Sequence, residues 1–120
     1  MSRKTLLLTA LACVAAATTL SAQEVRASLS GVITDPSGAP IPAAKITVTN
    51  VAKNTSIVSM SNDSGLYSTP LLEPAAYNVA VEKDGFRRVV RENVVLQSLD
   101  KARLDIQLQI GAVADSITVD

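Results

Sequence analysis

Ala102-Arg103-Leu104-Asp105-Ile106-Gln107-Leu108-Gln109-Ile110 is the stretch that decides the fold. Five apolar residues alternate with four polar ones without a break. That period of two puts all the apolar side chains on one face of a β-strand. A strand with one dry face and one wet face needs a second layer to cover the dry one.

The same period recurs upstream. Tyr77, Val79 and Val81 alternate with Asn78, Ala80 and Glu82, and Ile46 and Val48 alternate with Thr47 and Thr49 in a strand over Lys45–Asn50. Weaker strand patterns cover Leu29–Thr34, Ser56–Ser61, Leu66–Thr69 and Phe86–Val90, with a short one over Val94–Leu96. Ile117–Val119 is either an eighth strand or the start of another element. Between them lie turn signals. Asp35-Pro36-Ser37-Gly38 has the type I pattern of Asp at i, Pro at i+1 and Gly at i+3. Asn62-Asp63-Ser64-Gly65 offers side-chain acceptors followed by a residue free to take positive φ, and Asp84-Gly85, between two apolar strands, suits a two-residue hairpin turn. No stretch longer than a turn or two has a helical apolar period. Short strands with regular turns predict an all-β sandwich or barrel.

Composition narrows the functions open to such a domain. The chain has 120 residues, no His, no Trp, one Cys and three aromatic residues, Tyr67, Tyr77 and Phe86. Without His, Ser-His-Asp and Cys-His catalysis and Cys/His zinc sites are excluded. A transmembrane barrel needs strands of about 9–11 residues and aromatic girdles at both interfaces, which three aromatics do not supply.

The N-terminus stands apart from the β pattern. Arg3 and Lys4 precede an apolar run over Leu6–Leu20, then Ser21-Ala22 and the polar Gln23-Glu24. This is the three-part plan of a secretory signal peptide, with cleavage expected after Ala22. A transmembrane anchor is the alternative, but the run is short against the roughly 17–25 residues of a span. Cys13 sits inside the run, after Ala12, where lipoprotein processing is a second alternative; otherwise the mature chain has no thiol chemistry. Removal of residues 1–22 takes two basic side chains and no acid, leaving a net charge of −2. A mildly acidic chain has no electrostatic footprint for nucleic acid.

The ordered set of motifs resembles a known family. Gly31-Val32-Ile33-Thr34-Asp35-Pro36-Ser37-Gly38-Ala39-Pro40-Ile41-Pro42-Ala43-Ala44 resembles the opening of the carboxypeptidase regulatory-like domain. Lys45–Asn50, Asn62–Tyr67, Leu72–Val79, Asp84–Phe86 and Gln107–Gly111 are similar to its later elements in the same order. Ala75-Ala76 stand where that family usually has a Gly before the Tyr. The resemblance implies a prealbumin-like, seven-stranded β-sandwich over residues 23–112, with no catalytic residues and no cofactor. It also implies a module that is appended to larger proteins, among them TonB-dependent outer-membrane receptors. Residues 113–120 are then a C-terminal strand or a linker toward a plug-like region. Within them Asp115-Ser116-Ile117-Thr118-Val119 resembles the short energy-coupling segment of those receptors, which a protein partner would add to a sheet edge by main-chain pairing.

The candidate contact residues are therefore Tyr67, Tyr77, Asp115, Ile117 and Val119. The expected partner is a protein of the periplasm or envelope, with carbohydrate as an alternative ligand for loops around Tyr67 and Tyr77. No nucleic acid is expected, and contact with the outer membrane only through a downstream barrel. Both tyrosines also suit core or edge packing, and Phe86 suits a core anchor. Asp35, Asn62, Asp63 and Asp84 lie in turns without the spacing of a calcium loop, so turn formation accounts for them and no metal is expected. Glu73, Glu82 and Glu92 are too scattered for paired-carboxylate hydrolysis. Lys83, Arg87, Arg88 and Arg91 read as charged protection of a sheet edge.

Overall fold

The computed structural model describes residues 25–111 and 116–119. The expected signal peptide over 1–22, Cys13 and Asp115 lie outside the described residues. The described elements are β1 (Ala27–Thr34), β2 (Lys45–Asn50), β3 (Thr55–Met60), β4 (Leu66–Leu72), β5 (Ala75–Glu82), β6 (Arg88–Leu96), β7 (Lys101–Arg103), β8 (Ile106–Gln107) and β9 (Ser116–Val119). They form two sheets. In one, β1 is central, antiparallel to β4 on one side and parallel to β7 and β8 on the other. The other runs β3-β2-β5-β6-β9.

The alternating strands supply the two inner faces. Leu29, Ile33, Leu72 and Ile106 of the first sheet, with Leu108 just past β8, meet Ile46, Val48, Val79 and Val81 of the second in one buried cluster. Each such side chain gains about 1.5–3 kcal/mol on burial. β2 occupies Lys45–Asn50 as expected, paired without a slip to β3 and to β5. The turns also form as their residues dictate. Gly38 N–H donates to the Asp35 carbonyl, and the Asp35 carboxylate accepts from Ser37 N–H, Ser37 Oγ and Ala39 N–H. Asn62 does the same for Ser64 and Leu66, and Gly65 takes a φ of 74° where a Cβ would lie 2.6 Å from the Ile33 carbonyl oxygen.

Three expectations change. First, the polar Arg91-Glu92-Asn93 does not separate two strands. It is a bulge inside one strand, β6: Tyr77 pairs with Val94 and Val79 with Arg91, so β6 carries one extra residue there. Asn93 absorbs the bulge with a φ of 55°, and its N–H donates to Asn78 Oδ1. Second, Phe86 lies outside β6, in a bridge to Ile110, and packs partly buried against the core. Third, Ala102–Ile110 is not one unbroken strand. β7 and β8 keep the same offset to β1, but the ladder is interrupted at Leu104-Asp105, and Ile110 ends exposed. Counting β7 and β8 as one interrupted strand, the sandwich has seven strands, and β9 is an addition to its edge. Ala75 and Ala76 open β5 as ordinary strand residues paired with Leu96 and Val95.

Candidate functional site

The interruption at Leu104 follows from Tyr67. In a regular parallel ladder, Leu104 would donate to Ser30 and accept from Val32. The first bond is present at 2.8 Å. The second is replaced. Tyr67 projects from β4, where it stands opposite Gly31, and its hydroxyl donates to the Leu104 carbonyl. Val32 N–H turns instead to Asp105 Oδ1 at 2.9 Å. The two main-chain groups freed by the interruption, the Leu104 carbonyl and the Val32 N–H, are thus both satisfied by side chains. Gly31 makes room for the exchange: a Cβ there would lie 2.0 Å from the Leu104 oxygen and 3.0 Å from the Tyr67 ring. The Val32 N–H, and then Arg103, hold the Asp105 carboxyl below the usual carboxylate range. Burial, and then the Asp105 charge, push the Tyr67 phenol well up, against a smaller opposing pull from Arg91.

Tyr77 occupies a different setting. Its ring is buried, and its hydroxyl donates to the Glu73 carbonyl at 2.6 Å. Tyr77 is among the residues lining a cleft of about 270 Å³, between the β2–β3 turn and the β4–β5 turn. Val48, Ile57, Leu71 and Leu72 line its apolar side, and Arg26, Asn50, Lys53 and Glu73 its polar rim. Asn50 shapes that rim by accepting the N–H groups of Ala52 and Lys53 on its side-chain oxygen. Lys53 Nζ lies 2.6 Å from Glu73 Oε2, and that contact holds the Glu73 carboxyl below its ordinary value. Burial, and then the Glu73 charge, push the Tyr77 phenol up.

The third element is β9. Ile117 and Val119 pair with Val89 and Arg91 in parallel register, so the segment singled out for main-chain pairing lies along the edge of β6. The basic cluster is at that edge. Arg88 Nε reaches Glu82 Oε1 at 2.8 Å, and Arg91 sits partly buried with its Nε unpartnered. The structure does not bring Tyr67 or Tyr77 to the surface, and it does not join either to β9. Sequence reasoning missed the part of Arg26, Lys53 and Leu71 in the cleft and of Asp105 at the Tyr67 seam. Only Asp105 left a signal: it is the one acid on the polar face of the 102–110 alternation.

Chemically, the cleft offers apolar contact and a ring of hydrogen-bonding groups. Among the described residues no three His, Cys, Asp or Glu side chains gather where a metal ion would sit. The match of a domain family to residues 28–109 spans more than half of the chain, and that family is the carboxypeptidase regulatory-like domain. The chain belongs to it. The domain's β-sandwich also recurs in solved structures. A candidate carbohydrate-binding protein of Bacteroides uniformis is 22% identical with a TM-score of 0.58, over 69% of this chain and 41% of that one. The TIE protein of Bacillus anthracis is 19% identical with a TM-score of 0.62, over 72% of this chain and 17% of that one. Hydroxyquinol 1,2-dioxygenase of Pseudomonas putida is 12% identical with a TM-score of 0.60, over 74% and 58%. The chain thus spans less than two thirds of each, and at these identities the likeness is one of fold. A comparison with curated proteins finds no match.

Proposed function

We propose that this carboxypeptidase regulatory-like domain is a non-enzymatic, exported docking module carried at the front of a TonB-dependent outer-membrane receptor. The observation that carries the reading is β9. A segment of alternating polar and apolar residues follows the sandwich and is extended, on a sheet edge, in the conformation that main-chain pairing with a partner requires. The signal-like N-terminus and the single module in front of that segment support the same order of parts. Neither tyrosine site pairs a nucleophile with a base, which favours docking over catalysis.

The test is the reading frame of the intact gene beyond codon 120. A frame continuing into a plug and a barrel is the expected result. A stop codon directly after Asp120 overturns the receptor part and leaves a free-standing module.

The Tyr77 cleft favours a second reading, a carbohydrate-binding or spacer module. Against carbohydrate, both aromatic rings are turned into the core and offer no stacking face. Titration of labelled protein with mono- and oligosaccharides checks it: no movement of the Tyr77, Asn50 and Lys53 resonances at millimolar sugar is the expected outcome.

A further inference from the structure

The five-stranded sheet has two ends of different character. β3 pairs on one side only, with β2, and its Thr55–Met60 contains no charge, no Pro and no bulge. β6 carries Arg88, Arg91, Glu92 and a bulge, all of which discourage strand addition. Yet it is β6 that holds a further strand, β9, over Arg88–Arg91.

β9 has the properties of a replaceable occupant. It makes four residue pairs, in a parallel ladder, the weaker kind per residue. It lies beyond the family match, which ends at residue 109. Ordering four residues costs main-chain entropy of about the same size as a short ladder returns, so the docked and undocked states are close in free energy.

We propose that the β6 edge at Arg88–Arg91 is an exchangeable strand slot, which keeps Ser116–Val119 in reserve and yields it to a protein partner that pairs with the same main chain. The identity of the partner rests on the docking reading above; the slot itself does not. While the segment lies on β6, one row of its N–H and C=O groups is used, and a partner needing that row sees only the undocked fraction of molecules. Loosening the slot therefore tightens partner binding. Capture of the segment in turn bares the β6 edge.

Amide exchange on the isotopically labelled full chain tests this without any partner. The β9 amides should be protected relative to unstructured peptide, yet exchange at least about tenfold faster than Val79 and Val81 of β5, because β9 opens without global unfolding. Exchange as fast as unstructured peptide would mean that the slot is empty. Exchange as slow as Val79 and Val81 would mean a permanent strand. Either result overturns the proposal.

A second experiment addresses specificity. Thr118→Pro with Val119→Pro in the full chain removes two successive N–H groups, which point to opposite sides of the strand, so one of them faces β6. The expected result is a shift of the Arg88–Arg91 resonances with β5 protection unchanged. A synthetic peptide of residues 112–120, added at millimolar concentration, should reverse that shift. A slot that ignores the peptide is not an exchangeable one. These outcomes are separate from the reading-frame test, because a slot present in a free-standing module would keep this proposal and remove the receptor.

Discussion

Tyr67 and Tyr77 are alike by every local measure and unlike in what surrounds them. Both rings are buried, at 3% and 4% exposure, and both hydroxyls donate to a main-chain carbonyl. Tyr67 is closed in on all sides, over a glycine and against a ladder that it interrupts. Tyr77 is as deeply buried, but it lies under a cleft whose rim is formed by two exposed turns. Burial alone therefore does not say whether an aromatic residue is part of the frame or of a surface; the neighbour that receives its hydroxyl does. The Leu104 carbonyl has given up a ladder bond and belongs to a partly buried residue packed against the core. The Glu73 carbonyl belongs to an exposed turn.

The largest expected effect is at the closed end. Gly31→Ala places a methyl group 2.0 Å from the Leu104 oxygen, a main-chain atom that cannot turn away. A loss of about 3 kcal/mol or failure to fold is expected, read from urea unfolding. A midpoint equal to wild type would show that the seam between β1 and Leu104 is looser than the comparison requires.

The two hydroxyl deletions set the tyrosines directly against each other. Tyr67→Phe leaves the Leu104 carbonyl, at a partly buried residue inside an interrupted ladder, without its donor and should cost about 1–3 kcal/mol. Tyr77→Phe should cost less than about 1 kcal/mol, because water replaces the lost donor at Glu73. Equal losses in the same denaturation series would break the comparison.

Acid titration sharpens it further. The Asp105 carboxyl is held below its unfolded value by the Val32 N–H and then by Arg103. Its contribution is therefore fully present above the unfolded pKa and is lost as pH falls through the folded one. Asp105→Asn keeps an acceptor for Val32 but cannot titrate. The variant should show a flatter decline of stability than wild type below about pH 4. Superimposable acid limbs would mean that Asp105 is not coupled to folding.

The smallest effect belongs to the cleft rim. Lys53 and Glu73 are both well exposed, and exposed pairs of this kind are screened and contribute little. Glu73→Gln should leave the denaturant midpoint where it is. A clear drop would show that the rim is as rigid a part of the frame as the Tyr67 seam.

How much of this was legible in the sequence depended on the range of the interaction. β2 and the Asp35 and Asn62 turns were readable because alternation and turn chemistry are local; Asp84-Gly85 does turn, but inside a longer connection from Glu82 to Arg88 and not as a two-residue hairpin. The unbroken strand read over Ala102–Ile110 was interrupted by a hydroxyl arriving from Tyr67, 37 residues away from Leu104. The β6 bulge at Arg91–Asn93 was hidden for the same reason, since it exists only relative to β5. Both tyrosines stood out in a chain with three aromatic residues. The cleft beside Tyr77 did not, because Arg26, Lys53 and Leu71 converge on it from separate turns. The alternation of Ser116–Val119 was visible, whereas its place on β6 required a parallel partner far back in the chain.

The most direct measurement is an immunoblot of fractionated native cells with an antibody against residues 25–111. A docking module at the front of a receptor predicts a band much larger than this chain, in the outer-membrane fraction. A band of this chain's own size in the soluble periplasm would contradict it.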